Sequence, residues 1–187
     1  MKNVFLLLLL GAVAFSSCDK DDDTVPVPDN VLHYDGPNQT GPLLAAGYHE
    51  AAVRFTTNEL LPFQGKQLTE VEFFMGIAPA EASLKIYGAG SNDLPGDLLY
   101  SANILPGIKI GEWTTHALGA PIDIPNDELW ISIGLKHDVE QQSIGCDAGP
   151  NQTNGDWLFS NSDSTWETYI DRTSESVNWN IRGVVSE

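Results

Sequence analysis

Two loops of similar sequence carry the residues best suited to hold a hard cation. The stretch YDGPNQTG at 34–41 returns as CDAGPNQTNG at 146–155, and in each an aspartate precedes Gly-Pro-Asn-Gln-Thr. Calcium prefers carboxylate and carbonyl oxygen, so Asp35 and Asp147 are candidate calcium ligands. Nearby oxygens that would complete such a site belong to Asn38, Asn151 or Asp156. The sequence contains no EF-hand or other spaced set of calcium ligands, so an alternative stays open. In it, the two stretches are similar turns, in which glycine and asparagine supply unusual dihedral angles.

The histidines and serines form no complete catalytic motif. His49 and Glu50 begin a stretch that is similar to the zinc-protease HExxH, but Val53 stands where the second zinc ligand is required. No GxSxG turn marks a nucleophilic serine. A glycoside hydrolase needs two converging carboxylates, and the 26 Asp and Glu residues leave that pairing open. We therefore expect no catalytic residues, with a hydrolase as the alternative.

Residues 1–17 have the anatomy of a secretory signal peptide. Lys2 lies near the start, an apolar run follows at 4–10, and small residues lead up to Ser17. The apolar run is shorter than the roughly 20 residues that a transmembrane helix needs. We expect this segment to direct export and to be removed.

Cys18 directly follows the predicted signal peptide, and the residues around it resemble a known processing motif. The sequence FSSC at 15–18 resembles a bacterial lipobox, whose cysteine is acylated and becomes the first residue of the mature chain. The sequence DKDDD at 19–23 resembles the acidic export signal of Bacteroidota-type surface lipoproteins. The resemblance implies that a lipid on Cys18 anchors the protein at the cell-surface side of the outer membrane. The alternative is a secreted protein with a chance cysteine at its cleavage site.

The remaining chain divides into a tether and one domain. Residues 18–30 are acidic and rich in proline, which favours an extended, solvated spacer. Residues 31–187 have the length of a single domain with one hydrophobic core. With Cys18 lipidated, only Cys146 remains, so no internal disulfide can stabilise this domain.

The charge of the chain argues against nucleic acid as a partner. Nine Lys and Arg residues against 26 Asp and Glu residues give a formal net charge of −17. Binding to nucleic acid depends on basic side chains that neutralise phosphates. The acidity instead favours solubility and cationic or neutral ligands.

The dominant hydrophobic period beyond the tether is two, which is typical of half-buried strands. Alternation is clearest at 68–75, 82–87, 129–135 and 177–185, and further strands are predicted at 51–56, 98–102, 113–118 and 157–159. Turns rich in Gly, Pro, Asn and Asp separate these segments. No stretch of the sequence sustains the apolar period of a helix. The pattern predicts an all-β, antiparallel β-sandwich of the jelly-roll type.

The order of these segments resembles a known family. LTEVEFF, LKIYGAG, EWTTHAL, LWISIGL and NWNIRGVV follow one another as in the jelly-roll modules of the cleaved-adhesin type, found in gingipain-like surface proteins. The resemblance covers roughly residues 34–185. It implies an adhesive or accessory module without a catalytic centre, which calcium stabilises in some members.

Trp130 is the candidate ligand contact among the five tryptophans. It alternates with Leu129 and Ile131 along a predicted strand and therefore faces away from them. An exposed indole at this position would stack on a sugar ring or anchor a partner. The alternative is that a second sheet or the loops cover Trp130.

These observations predict a lipid-anchored, cell-surface binding module of the adhesin-like type that performs no catalysis. Its expected partners are the membrane, through the lipid, and a glycan or a surface protein, with calcium as the candidate cofactor. The alternatives are an extracellular glycan-active hydrolase on the same sandwich and an accessory subunit of a surface protein complex. Fold alone does not choose among these functions.

The anchor can be tested by the substitution Cys18→Ala. Without the thiol there is no atom to acylate, so we expect the variant to move from the membrane fraction to the soluble fraction. Metabolic labelling with a fatty acid should mark the wild-type protein and not the variant. Continued membrane association of Cys18→Ala would contradict the proposed anchor, and Cys146→Ala serves as the matched control.

Overall fold

The computed structural model of the protein describes residues 27–187. The predicted signal peptide at 1–17 and the predicted lipidation site Cys18 lie outside the described residues. The described part of the chain is built mainly from strands: β1 (Val31–Leu32), β2 (Gly47–Phe55), β3 (Gln67–Met75), β4 (Glu81–Tyr87), β5 (Leu98–Asn103), β6 (Glu112–Asp123), β7 (Leu129–His137), β8 (Trp157–Ser160), β9 (Thr165–Thr168) and β10 (Ile181–Ser186). Two short α-helices, α1 (Thr57–Leu60) and α2 (Tyr169–Thr173), lie between strands.

The strands form two antiparallel sheets that pack face to face. The four-stranded sheet has the order β1-β10-β3-β6, and the six-stranded sheet has the order β5-β4-β7-β2-β8-β9. When the β8–β9 hairpin is set aside, the first strand pairs with the last and each sheet keeps four strands. This is the double Greek-key winding of a jelly roll. The predicted all-β, antiparallel β-sandwich is confirmed.

Contacts with the sandwich begin close to the predicted domain boundary. The side-chain amide of Asn30 donates to the carbonyl of Val185 at 3.1 Å. The backbone N–H of Val185 donates back to the carbonyl of Asn30 at 2.9 Å. The chain is therefore attached to β10 one residue before the predicted start at 31.

The alternation predicted for β3 is confirmed and contains one irregularity. Val71, Phe73 and Met75 are fully buried, while the side chains between them are half-buried. A bulge between Leu68 and Glu70 shifts the register against β6. Because a bulge inserts one extra residue, Leu68 also lies in the core, although strict alternation from Val71 would turn it outward.

The last strand is shorter than the sequence predicts. The segment 177–185 was expected to alternate throughout, and Trp179, Ile181 and Val185 are indeed in the core. The regular strand begins only at Ile181, because the side chains of Asn178 and Asn180 bind the two aspartate-containing loops. The strand propensity of a residue does not show that its side chain will bind a loop elsewhere in the chain.

The α1 helix was not predicted, although the sequence contains a signal for it. Thr56 and Glu59 form a capping box, in which the Glu59 carboxylate accepts from the Thr56 backbone N–H at 2.7 Å. The T-x-x-E spacing is the usual signature of such a helix start. The helix is only four residues long, which is too short to produce an apolar period.

Phe73 and Phe74 provide a direct test of the alternation in β3. Phe73 is 0% exposed, and its replacement by Ala leaves a cavity, so we expect a loss of about 3–5 kcal/mol in the free energy of unfolding. Phe74 is half-buried and packs edge-on against Trp113 with ring centroids 6.1 Å apart. Phe74→Ala should therefore cost clearly less. Urea unfolding of both variants measures the difference, and equal losses would contradict the assigned faces.

Candidate binding face

One face of the six-stranded sheet packs against the four-stranded sheet and forms the core. We call its opposite face the outer face. In β2, Ala51, Val53 and Phe55 belong to the hydrophobic core. Successive side chains of a strand point to opposite faces, so Tyr48, Glu50, Ala52 and Arg54 lie on the outer face. The pairing of β2 with its neighbours then places the remaining outer-face residues.

One set of outer-face residues runs across all six strands, and we call it the cross-strand row. Glu50 is paired with Gly134 of β7 and with Phe159 of β8. On one side the row continues from Gly134 through Ser83 to Asn103 of β5. On the other side it continues from Phe159 to Trp166 of β9. Because neighbouring strands lie 4.7–4.9 Å apart, the row is about 24 Å long.

Glu50 lies near the middle of the row and is almost fully buried. Its Oε1 accepts from the hydroxyl of Tyr48 at 2.6 Å and from the ammonium group of Lys85. Its Oε2 accepts from the hydroxyls of Tyr87 at 2.9 Å and Ser132 at 3.0 Å. A buried carboxylate needs such partners to offset its lost hydration. The cluster therefore fixes side chains from β2, β4 and β7 against one another.

The two tyrosines of this cluster act as hydrogen-bond donors. Burial, followed by the hydrogen bond to Glu50, raises the pKa of Tyr48. Burial, followed by the charge of Glu50, raises the pKa of Tyr87. Both hydroxyls therefore keep their protons at neutral pH, which favours a structural role over proton transfer.

Gly134 shapes the surface next to this cluster. A Cβ atom at position 134 would lie 2.5 Å from the Oγ of Ser83 and 2.6 Å from the hydroxyl of Tyr48. Such distances are shorter than van der Waals contact, so any side chain at position 134 would displace the side chains of Ser83 and Tyr48. Beside it is a cleft of about 510 Å³, which we call the serine cleft. Its polar lining consists of Tyr48, Glu81, Ser83, Ser101 and Asn103, and the rest of the lining is Ala82, Ala102, Leu105 and Gly134.

Aromatic rings cover the other half of the outer face. The rings of Phe159 and Trp166 are 5.7 Å apart, and Tyr48 approaches Phe159 at 6.4 Å. Trp157, Phe159 and Trp166 are each partly exposed. Polar groups and partly exposed rings thus meet along a single row of the sheet.

The expectation of an exposed Trp130 indole is wrong. Trp130 does lie on the outer face, but it is 0% exposed. The rings of Trp157 and Trp166 pack against it at 5.2 and 5.7 Å, and the guanidinium of Arg54 lies 5.4 Å from its centroid. The β8–β9 hairpin extends the sheet and brings these rings over Trp130. The exposed aromatic surface therefore belongs to the hairpin.

Sequence reasoning missed the residues that form this face. The W-x-F spacing at 157–159 indicates two rings on one side of a strand, and Tyr48 and Glu50 share the same two-residue spacing. These signals place residues within one strand. Their meeting across β4, β7, β2 and β8 depends on strand order, which local periodicity does not contain.

The structure brings the two aspartate loops together. The Oδ2 of Asp147 accepts from the backbone N–H of Gly36 in the first loop at 2.9 Å and from the side-chain amide of Asn178 at 2.9 Å. Its Oδ1 accepts from the backbone N–H groups of Gly149 and Asn178, both at 2.8 Å. The echo in the sequence therefore reflects two adjacent loops joined by one carboxylate.

Asp35 is bound by residues that precede and begin β10. Its Oδ2 accepts from the side-chain amide of Asn180 at 2.7 Å and lies 2.9 Å from the Nη2 of Arg182. The Nε of Arg182 also donates to the Oδ1 of Asp35 at 3.0 Å. The stretch Asn178-Trp179-Asn180-Ile181-Arg182 thus holds both loops, with Trp179 and Ile181 directed into the core.

The carboxylate oxygens of Asp35 and Asp147 already accept hydrogen bonds from backbone and side-chain donors. Calcium takes six to eight oxygen ligands, whereas N–H donors and a guanidinium occupy the oxygens of Asp35 and Asp147. Asp156, another predicted oxygen source, accepts from the backbone N–H of Ile170 at 2.9 Å, and burial raises its pKa. Within residues 27–187, no group of three or more His, Cys, Asp or Glu side chains is placed to hold a metal ion. Calcium binding by Asp35 and Asp147 stays a prediction.

The remaining candidate groups lie away from the outer face. Cys146 is a buried free thiol, and burial raises its pKa to about 11, which disfavours the reactive thiolate. His49 is in β2 rather than a helix, with its ring 5.6 Å from that of His137. Burial is the main cause that lowers the pKa of His137.

Comparison of the chain with protein-family models, curated proteins and solved structures gave no match. In the described part of the chain, no helix has the length and apolar character needed to cross a membrane.

Asp147 allows the structural and the calcium interpretations to be separated. Asp147→Asn turns an amide N–H₂ toward backbone N–H donors, so we expect a loss of about 1–3 kcal/mol in the free energy of unfolding. Asp138→Asn, at an exposed position, is the matched control and should change little. A chelator should leave the melting temperature of the wild-type protein unchanged, since only a ligand of the native state stabilises by mass action. A chelator-induced decrease that added calcium reverses would contradict this expectation.

Proposed function

We propose that this protein is a lipid-anchored, cell-surface binding module of the adhesin-like type, and that it binds glycan on the outer face of its six-stranded sheet. The observation that carries the proposal is the cross-strand row, in which a cleft that contains hydroxyl, amide and carboxylate side chains shares one surface with partly exposed aromatic rings. Sugars present both hydroxyl groups and apolar C–H faces. A surface with both kinds of contact is suited to them.

The hydrogen-bonding half of the face supports binding rather than bond cleavage. Both carboxylate oxygens of Glu50 already accept hydrogen bonds from side chains of the sheet. A second acid on this face, Glu81, is exposed and lies 2.6 Å from the ammonium of Lys136. Glycoside hydrolysis uses an acid pair about 5–10 Å apart around the scissile bond. A preformed hydrogen-bond network is a better basis for a rigid binding platform.

The sequence supports the location. The signal-peptide anatomy of 1–17, the lipobox-like FSSC at 15–18 and the acidic stretch that follows are together typical of exported lipoproteins. The proline-containing tether up to residue 30 would hold the sandwich away from the lipid. A module placed at the cell surface in this way meets extracellular glycans directly.

A glycan array tests the ligand class. We expect the protein without its leader and Cys18, beginning at Asp19, to bind a subset of glycans and to release no reducing sugar from them. Trp166→Ala should weaken binding, because it removes a ring from the outer face. Trp113→Ala is the matched control, since Trp113 lies on the four-stranded sheet. The array should be run with calcium and with chelator.

Each other result contradicts part of the proposal. Release of reducing sugar would establish the hydrolase alternative. If no glycan on the array is bound and no reducing sugar is released, glycan binding is excluded. The alternative that then stands is an accessory subunit of a surface protein complex. Binding that Trp113→Ala abolishes and Trp166→Ala preserves would move the site to the other sheet.

A further inference from the structure

We infer that the ligand is a neutral, extended glycan chain that lies across the strands, along the cross-strand row, with its two ends held by different chemistry. This inference rests on the proposed function and adds the orientation, length and charge class of the ligand. It follows from the order of side chains along the row and from the pairing of the charges beside it.

The row changes in character from one edge of the sheet to the other. Asn103, Ser83 and Gly134 occupy β5, β4 and β7 and border the serine cleft. Phe159 and Trp166 occupy β8 and β9. Ser101 and Asn103 are exposed at the first end, and Trp166 is partly exposed at the second. A ligand that uses both ends must therefore reach across all six strands.

The length of the row sets the size of this ligand. Six strands at 4.7–4.9 Å spacing extend about 24 Å, which is longer than a mono- or disaccharide. Both ends of the row lie on edge strands, β5 and β9, so no further strand closes either end. The row is therefore suited to internal units of a chain, which continue past the protein on both sides.

The charges beside the row favour a neutral ligand. Lys85 is paired with Glu50, and Lys136 lies 2.6 Å from Glu81. Arg54 lies 2.6 Å from both Glu128 and Asp93. These cations already have anionic partners, and the chain as a whole has a net charge of −17. A uronic-acid polymer would meet repulsion, because Arg54, Lys85 and Lys136, the described cations beside the row, are already paired.

Gly134 and Tyr48 connect the two halves. The ring of Tyr48 approaches Phe159 on the aromatic side, and its hydroxyl lies beside Gly134 and Ser83 on the cleft side. Tyr48 is held there by its hydrogen bond to Glu50 at 2.6 Å. The middle of the row is therefore fixed before a ligand arrives, which reduces the entropic cost of binding.

Affinity electrophoresis in native gels tests this inference with named probes. The neutral polymers are mixed-linkage β-glucan, galactomannan, xyloglucan and dextran, and the anionic polymers are alginate and polygalacturonate. We expect at least one neutral polymer to retard the wild-type protein and neither anionic polymer to do so. For the retarding polymer, a series of its oligosaccharides should show affinity that rises with chain length beyond the disaccharide.

Two variants address the two ends separately. Ser101→Arg places a long side chain in the serine cleft, and Thr115→Arg places the same side chain at an exposed strand position of the other sheet. Trp166→Ala removes the ring at the second end, with Trp113→Ala as its control. We expect Ser101→Arg and Trp166→Ala each to weaken binding on the order of tenfold, as loss of one energetically important contact does, and both controls to bind normally. Ser101 is exposed, so its variant should melt at the wild-type temperature.

The outcomes separate this inference from the proposed function. Tight binding of a disaccharide, retardation by anionic polymers alone, or normal binding by Ser101→Arg would overturn the inference while leaving a glycan-binding module. Absence of binding to every glycan on the array and every polymer in the gels would overturn both. Weakening by both variants, with growth of affinity along the length series, would support the ligand described here.

Discussion

Glu50 places a negative charge in the middle of a sheet face, and the organisation of the outer face follows from the need to compensate it. Removing a carboxylate from water is costly unless hydrogen-bond donors and an opposite charge compensate it. Tyr48, Lys85, Tyr87 and Ser132 satisfy its two oxygens. Because these donors come from three adjacent strands, the same contacts that neutralise Glu50 also fix the positions of Tyr48 and the serine cleft.

A second buried polar network closes the end of the sandwich where the two aspartate loops meet. Asp35 and Asp147 are anchored by Asn178, Asn180 and Arg182, while Trp179 between them fills the core. This chain has no internal disulfide among its described residues, where Cys146 is a free thiol. Hydrogen bonds to the carboxylates of Asp35 and Asp147 join distant segments here. Such buried hydrogen bonds favour a single arrangement of the two loops.

The β8–β9 hairpin widens one sheet of the jelly-roll scaffold from four strands to six. It pairs with the edge of β2, covers Trp130, and presents Phe159 and Trp166 in its place. Edge strands are exposed to unwanted pairing, and the hairpin moves the edge outward while adding aromatic surface. The aromatic candidate contacts therefore lie on an addition to the eight-stranded core, whereas the serine cleft lies on the core strands themselves.

The sequence by itself determined the class of fold and the core-facing side chains of β3, β4 and β7, because successive side chains of a strand point to opposite faces. It also showed that the stretches 34–41 and 146–155 have similar residues, each with an aspartate ahead of Gly-Pro-Asn-Gln-Thr. Only the tertiary structure decided that Asp35 and Asp147 accept hydrogen bonds from N–H donors, and that Trp130 is covered. Only strand order brought Glu50 to Lys85 and Phe159 to Trp166. Register and strand order arise from contacts between residues far apart in the chain, and local patterns contain no information about which strands become neighbours.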